Sequence, residues 1–367
     1  MLEKLIGIRC CFVAIFIFIM PTASLFGQSY LQFQSSRGQL FAMSEELLAI
    51  QGWPNIYKLE YATVLNDKEY HKYLNSPLTG LSLTFMDHDN EATGKSISLS
   101  GFLQPNFIRY KKHDLSGRLG VGLSYIQHPY HEIDNPLQVA IGSYFNYFAE
   151  SQLIYTYDLS SRFNVNLIYG ITHISNGARR LPNKGFNILS MGMGVSYKLN
   201  ERSNNLFPKL NIPEISYELA EFSHYFYLRG GFKSMNNLGD NVFPAVGLNY
   251  TLAYRYHPLG SFTAGLDVDY NEGFVQERKS LDLQHGHMVP FTSFRWAAVV
   301  GHELHMNKLS LLTQYALYIR KPHPHHRAAY QRYGLKYQLS EKTALAATLR
   351  AHAGRADYME WSVGRKF

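Results

Sequence analysis

The sequence predicts an all-β fold, a transmembrane antiparallel β-barrel of about 14 strands, with 12 and 16 as the neighbouring even counts. Three observations predict it. Stretches of about ten residues alternate apolar with small or polar side chains, the composition is rich in aromatic residues and glycine, and the chain is exported and ends on an aromatic residue. Of 367 residues, 46% are hydrophobic and only 17% charged, with 27 Tyr, 23 Phe and 28 Gly. This balance excludes disordered, collagenous and coiled-coil classes. No apolar run reaches the roughly 18 residues that a membrane-spanning helix needs.

The first 27 residues read as a signal peptide cut near Gly27. Lys4 and Arg9 precede an apolar run from Cys10 to Met20, followed by Pro21, Thr22, Ala23 and Ser24. Both cysteines, Cys10 and Cys11, fall inside it, and Gly7-Ile8-Arg9 is not a lipoprotein cleavage box. The mature chain is therefore free of cysteine and uses no disulfide framework. The formal net charge is +7, and removal of Lys4, Arg9 and Glu3 leaves the chain basic, which suits anionic lipid as well as nucleic acid. No nucleic-acid motif or phosphate-cradling glycine loop is present.

Residues 28–78 are expected to form an N-terminal periplasmic segment, with Ser44 ahead of Glu45 and Glu46 starting a short helix and 56–66 a candidate further strand. The barrel then occupies 79–367, its strands starting near 79, 94, 117, 144, 162, 186, 221, 243, 261, 291, 308, 328, 342 and 358. Because successive side chains of a strand point to opposite faces, each row can be assigned. Phe262, Ala264, Leu266, Val268 and Tyr270 alternate with Thr263, Gly265, Asp267 and Asp269; Leu119, Val121, Leu123 and Tyr125 alternate with Arg118, Gly120, Gly122 and Ser124. A soluble sandwich also alternates, but its strands are shorter. An oily outside, a wet inside and closure of the sheet are what a membrane barrel requires.

In the last strand Met359, Trp361, Val363 and Phe367 share one parity, similar to the terminal signal by which outer-membrane barrels engage the barrel-assembly machinery; Arg365 interrupts the row, which is tolerable near a membrane interface. Short turns at 159–162, 258–261, 305–308 and 339–342 alternate with longer connections at 176–186, 272–290 and 321–327. Short turns face the periplasm in such barrels. The wide 200–220 connection falls on the short-turn side and is too long for a turn.

The hairpin 162–199 carries the candidate chemistry. Phe163, Val165, Leu167, Tyr169 and Ile171 lie on its oily face, and the same row continues to His173 and Ser175. The returning strand places Leu189, Met191, Met193, Val195 and Tyr197 on that face, headed by Asn187, which a symmetric hairpin sets opposite His173. Polar groups on a lipid-facing row are unfavourable away from an interface or a function. A serine two residues from a histidine on one face can pair nucleophile with base, a third group orienting the imidazole. The residues equally allow a polar cap on a structural barrel.

His173-Ile174-Ser175-Asn176 followed by Pro182-Asn183-Lys184-Gly185 resembles the HxSN signature and downstream PN-x-G of the PagL-type lipid A 3-O-deacylase and acyloxyacyl hydrolase family of outer-membrane β-barrels. The resemblance is strong over 162–199 and weakens back to about 79; residues 200–367 lie beyond the family's compact eight-stranded barrel. It implies a lipid A deacylase in the outer membrane of a Gram-negative bacterium, acting on lipopolysaccharide without a metal or organic cofactor. It assigns Ser175 as nucleophile, His173 as base and Asn176 to the oxyanion hole. Where the family has an acidic residue this chain has Asn187, a neutral amide that can orient the imidazole. Arg179, Arg180 and Lys184, beside these residues, are candidates for the lipid A phosphates. The alternative is a non-catalytic barrel, pore or structural, with a vestigial site. Elsewhere, Gly301-His302-Glu303-Leu304-His305 lacks the spacing of a zinc helix and puts its histidines on opposite faces of a strand. His323, His325 and His326 fall in an outer loop, and Asp267 and Asp269 face the lumen.

Overall fold

The computed structural model describes residues 28–42, 44–66, 69–200, 221–234, 242–286, 288 and 290–367. The proposed signal peptide and most of the 200–220 connection lie outside the described residues. The chain divides into two compact units, the second comprising Val139–Ser143, Ser175–Lys184 and Pro213–Phe367.

The first sheet contains β1 (Ser29–Leu40), β2 (Asn55–Val64), β3 (Leu78–Asp87), β4 (Lys95–Gln104), β5 (Asn106–Tyr110), β6 (His113–Ile126), β7 (Phe145–Asp158), β8 (Phe163–Ser175) and β9 (Phe186–Lys198). β1 pairs with both β2 and β9, and β4 pairs with β6, so eight strands close on themselves, with the short β5 beside β6. The second sheet is a closed barrel of eight: β10 (Glu221–Ser234), β11 (Val242–His257), β12 (Gly260–Asn271), β13 (Phe294–Met306), β14 (Leu309–Arg320), β15 (Ala329–Gln338), β16 (Thr343–His352) and β17 (Arg355–Lys366). Its seam joins β10 to β17 from Tyr225↔Lys366 to Gly231↔Glu360.

Two eight-stranded barrels thus replace the single 14-stranded barrel expected. All fourteen predicted strands exist, each starting within four residues of its expected position. The two further barrel strands come from 28–78, which was expected to be periplasmic apart from the candidate strand at 56–66: it supplies β1 and β2. β1 hides because its oily row of Leu31 and Phe33 gives way to Ser35 and Arg37. β2 realises the further strand expected over 56–66, with Lys58 and Glu60 on the row opposite Tyr57, Leu59 and Tyr61. Ser44 does precede a short helix that opens on Glu45 and Glu46, a 3-10 helix at Glu45–Ile50 in the β1–β2 connection.

Both sheets are inside-out relative to a soluble protein. Leu167, Met193 and Leu248 are 48%, 58% and 62% exposed on outward rows, whereas the alternating polar residues are buried. In the first lumen Arg118 donates from Nη1 to Glu60 Oε1 at 2.6 Å and from Nη2 to Gln104 Oε1 at 2.7 Å, while Lys58 pairs with Glu150. In the second, Arg332 holds Asp267 at 2.6 Å and Glu360 at 2.5 Å, and Arg350 holds Asp269 at 2.6 Å and Glu360 at 2.9 Å. Asp267 and Asp269, expected to face the lumen, do so and are bound there in ion pairs. Arg295, Arg332 and Arg350 are 0% exposed, so the second lumen is filled by its own side chains.

Removing one partner of a buried ion pair leaves a charge uncompensated, at about 3–5 kcal/mol. Arg332→Ala is expected to lower the unfolding free energy in vesicles by about that amount. Lys366→Ala, which breaks a half-exposed pair with Glu221, should change it by less than about 1 kcal/mol. Equal urea midpoints for the two variants would refute the ionic core.

Candidate functional site

The β8–β9 hairpin holds the candidate residues because its register is fixed along its whole length, from Phe163↔Tyr197 through Leu167↔Met193 and Ile171↔Leu189 to His173↔Asn187. β9 is held on its other edge by β1, from Tyr30↔Lys198 to Leu40↔Ile188. His173 and Asn187 stand opposite each other on the outward row, both half-buried, while the flanking Ile174, Phe186 and Ile188 are buried. His173 Nδ1 lies 2.8 Å from Asn187 Oδ1. With an amide oxygen as its partner, Nδ1 carries the proton, which leaves Nε2 as the basic nitrogen. Ser175 ends β8, buried at 5% exposure, and Asn176 follows at 4%.

The connection after Ser175 is a tight loop. Gly177 and Ala178 have φ of 64° and 60°, and Gly185 returns the chain to β9 at 75°. The left-handed region costs an alanine more than a glycine, and the Asn176 side chain holds the loop there. Its Nδ2 donates to the Arg180 carbonyl at 2.7 Å and to Ser143 Oγ at 3.0 Å, and its Oδ1 accepts from the Arg180 amide at 3.4 Å. The oxyanion donor that the sequence assigned to the Asn176 side chain is therefore engaged within the loop. Asn183, in the Pro182-Asn183-Lys184-Gly185 motif, was given no role from the sequence. Its Oδ1 accepts from the Asn176 backbone N–H at 2.8 Å, which ties it to the residue after Ser175, and its Nδ2 is buried without a hydrogen-bond partner. The sequence signal was the motif itself; which amide of the loop is already occupied is visible only in three dimensions.

Arg179, Arg180 and Lys184 are exposed on this loop. Burial, followed by the charge of Arg355, lowers the Lys184 ammonium below its usual range. Among the described residues no group of histidine, cysteine and carboxylate side chains is arranged to hold a metal ion. His302 faces outward and bonds Tyr256 at 2.8 Å, whereas His305 faces inward between Ser261 and Ser310 at 2.7 and 2.9 Å. The opposite faces expected of a strand are realised there.

Closed antiparallel sheets with exposed apolar outward rows and buried polar inner rows define β-barrels of the outer-membrane type. The family model described as lipid A 3-O-deacylase (PagL) matches residues 56–196, and that described as acyloxyacyl hydrolase, C-terminal domain, matches residues 222–367. The chain belongs to this PagL family of acyloxyacyl hydrolases. The matches begin in β2 and take in the second barrel, so residues beyond the compact barrel of the resemblance are themselves a family domain. No curated protein matches the sequence. Among solved structures, Neisserial surface protein A is 13% identical over 46% of this chain and 96% of its own, with a TM-score of 0.32. A mutant Rh. blastica porin is 10% identical over 92% and 99%, with a TM-score of 0.20. The Pseudomonas putida toluene transporter TodX is 9% identical over 95% and 89%, with a TM-score of 0.17.

The loop makes a prediction of its own. Asn176→Ala removes three side-chain hydrogen bonds, each contributing about 0.5–1.5 kcal/mol. It is expected to increase tryptic cleavage at Arg179 or Arg180 severalfold while the barrel strands stay protected. Unchanged cleavage would mean that the loop is held by other contacts.

Proposed function

We propose that this protein is an outer-membrane esterase that removes an ester-linked acyl chain from lipid A. The observation that carries the reading is the 2.8 Å contact of His173 Nδ1 with Asn187 Oδ1, on the outward row that ends at Ser175. Asn187 fixes the tautomer in which His173 Nε2 is the base. Nε2 takes the Ser175 hydroxyl proton as Oγ attacks the acyl carbonyl, and Asn183 Nδ2 donates to the oxyanion as it forms. Collapse of the tetrahedral intermediate breaks the acyl C–O bond, and the imidazolium returns its proton to the departing sugar hydroxyl. A water deprotonated by His173 then hydrolyses the acyl-Ser175 ester. No step calls on a metal or an organic cofactor. Arg179, Arg180 and Lys184 bind the phosphates of lipid A, for which charge-assisted hydrogen bonds are the stronger class. Phe367 marks the strand presented to the barrel-assembly machinery.

A non-catalytic barrel is the competing reading, favoured by the amide that stands where the family has an acidic residue. The test is mass spectrometry of lipid A from cells carrying the wild type or a variant. The wild type should release one acyl group, and Ser175→Ala should abolish release while the heat-modifiable barrel persists; full activity in that variant would overturn the mechanism.

Asn187→Ala should slow the reaction without abolishing it, because nucleophile, base and oxyanion donor remain. Asn187→Glu should retain or raise activity, since a carboxylate opposite His173 both orients the ring and stabilises the imidazolium formed during the reaction. An inactive but folded Glu variant would place the third member elsewhere.

Asn183→Ala should lower kcat by roughly 10²–10³ with little change in KM, the pattern of a donor used mainly in the transition state. A change confined to KM would remove Asn183 from the oxyanion site.

A further inference from the structure

Three histidines stand on the outward rows near the short-turn end of their strands, and each is hydrogen-bonded to a tyrosine of a nearby strand. His113, the first residue of β6, bonds Tyr155 at 2.7 Å; His224, near the start of β10, bonds Tyr250 at 2.8 Å; His302, near the end of β13, bonds Tyr256 at 2.8 Å. The third pair reaches across an intervening strand. A Cβ on Gly260 would lie 2.4 Å from the Tyr256 hydroxyl, so the bare backbone there lets the tyrosine cross β12 to His302. Phe262 stacks on Tyr256 at 4.6 Å and Phe226 packs beside Tyr250 at 5.1 Å, which holds the tyrosines in place.

A polar side chain on such a row is costly in hydrocarbon. The tyrosine satisfies one ring nitrogen of each histidine; the other has no hydrogen bond among the described residues. Cations accompany two of the pairs. Exposed Lys112 directly precedes His113, and Arg365, exposed on the outward row of β17, is the register partner of Phe226, two residues from His224. An oriented imidazole nitrogen, a tyrosine hydroxyl and a nearby cation at the depth of the lipid headgroups fit an anionic oxygen, and the recurrence of the pair in both barrels makes it a property of the membrane contact.

We infer that the His113–Tyr155, His224–Tyr250 and His302–Tyr256 pairs dock the phosphodiester groups of glycerophospholipids at the short-turn end of each barrel. This rests on the membrane-barrel reading and is independent of ester hydrolysis, so deacylase assays and the experiment below can fail separately.

The test is solid-state NMR of the full chain, nitrogen-labelled at histidine and reconstituted in phosphatidylglycerol and phosphatidylcholine vesicles. Three imidazole signals should lose intensity through coupling to lipid phosphorus. His113→Phe, His224→Phe and His302→Phe should each remove one of them, the ring size being kept so that the barrel still folds, as heat-modifiable mobility verifies. Vesicles of galactolipid in phosphate buffer should give no loss, which separates a lipid phosphodiester from free phosphate. In native mass spectrometry the triple variant should retain severalfold less phosphatidylglycerol than the wild type, with galactolipid retention equal. Folded wild type without phosphorus coupling, the same loss in galactolipid vesicles, or equal phosphatidylglycerol retention in the triple variant would each overturn the inference.

Discussion

The pairing of β1 with β9 is the interaction on which the first barrel and its site depend. In hydrocarbon every backbone N–H and C=O needs an internal partner, so a sheet with free edges has no stable form there. Eleven consecutive residue pairs from Tyr30↔Lys198 to Leu40↔Ile188 close that edge. They also fix β9 in register, and a slip by one residue would turn Asn187 to the lumen and separate it from His173. The chemistry at the rim is thus set by a seam joining segments more than a hundred residues apart in sequence.

Inside the sheets the constraint changes from hydrogen bonding to charge. The first lumen balances Arg118 and Lys58 against Glu60 and Glu150, and the second sets its arginines against Asp267, Asp269, Asp357 and Glu360. A soluble protein packs its core with hydrocarbon and solvates its charges; here the hydrocarbon is supplied by the surroundings and the charges must neutralise each other. The lumens are therefore cores in the packing sense, filled and internally compensated.

Much of this was legible from residue order. Alternation located fourteen strands because a strand's two faces differ wherever one meets lipid, and the parity of the 162–199 hairpin was enough to set His173 opposite Asn187. Two kinds of information were not legible. β1 broke the oily row with Ser35 and Arg37, and the candidate strand at 56–66 could not be placed in the barrel because Lys58 and Glu60 sit on its inner row; pattern alone cannot tell a charged lumen from a solvated face. The number of barrels was hidden as well, since alternation is identical whichever strand closes on which; only the β1–β9 and β10–β17 seams decide it. Around the hairpin loop, the motif pointed to Asn176 and Asn183 but not to their hydrogen bonds, among them those that tie Asn176 to Arg180 and Ser143.

His173 and Asn187 stand on an outward row, half-buried, and not in a lumen. On the proposed reading, the lipid that meets this pair arrives sideways, by diffusion within the plane of the membrane, and leaves the same way. Encounter then depends on the molecule's mole fraction in the leaflet and not on any bulk concentration, and dilution of the surrounding solution changes nothing. Neighbouring lipids become both the solvent and the competitors, so membrane fluidity and headgroup crowding set the rate of encounter at this pair, much as viscosity does for a site open to water.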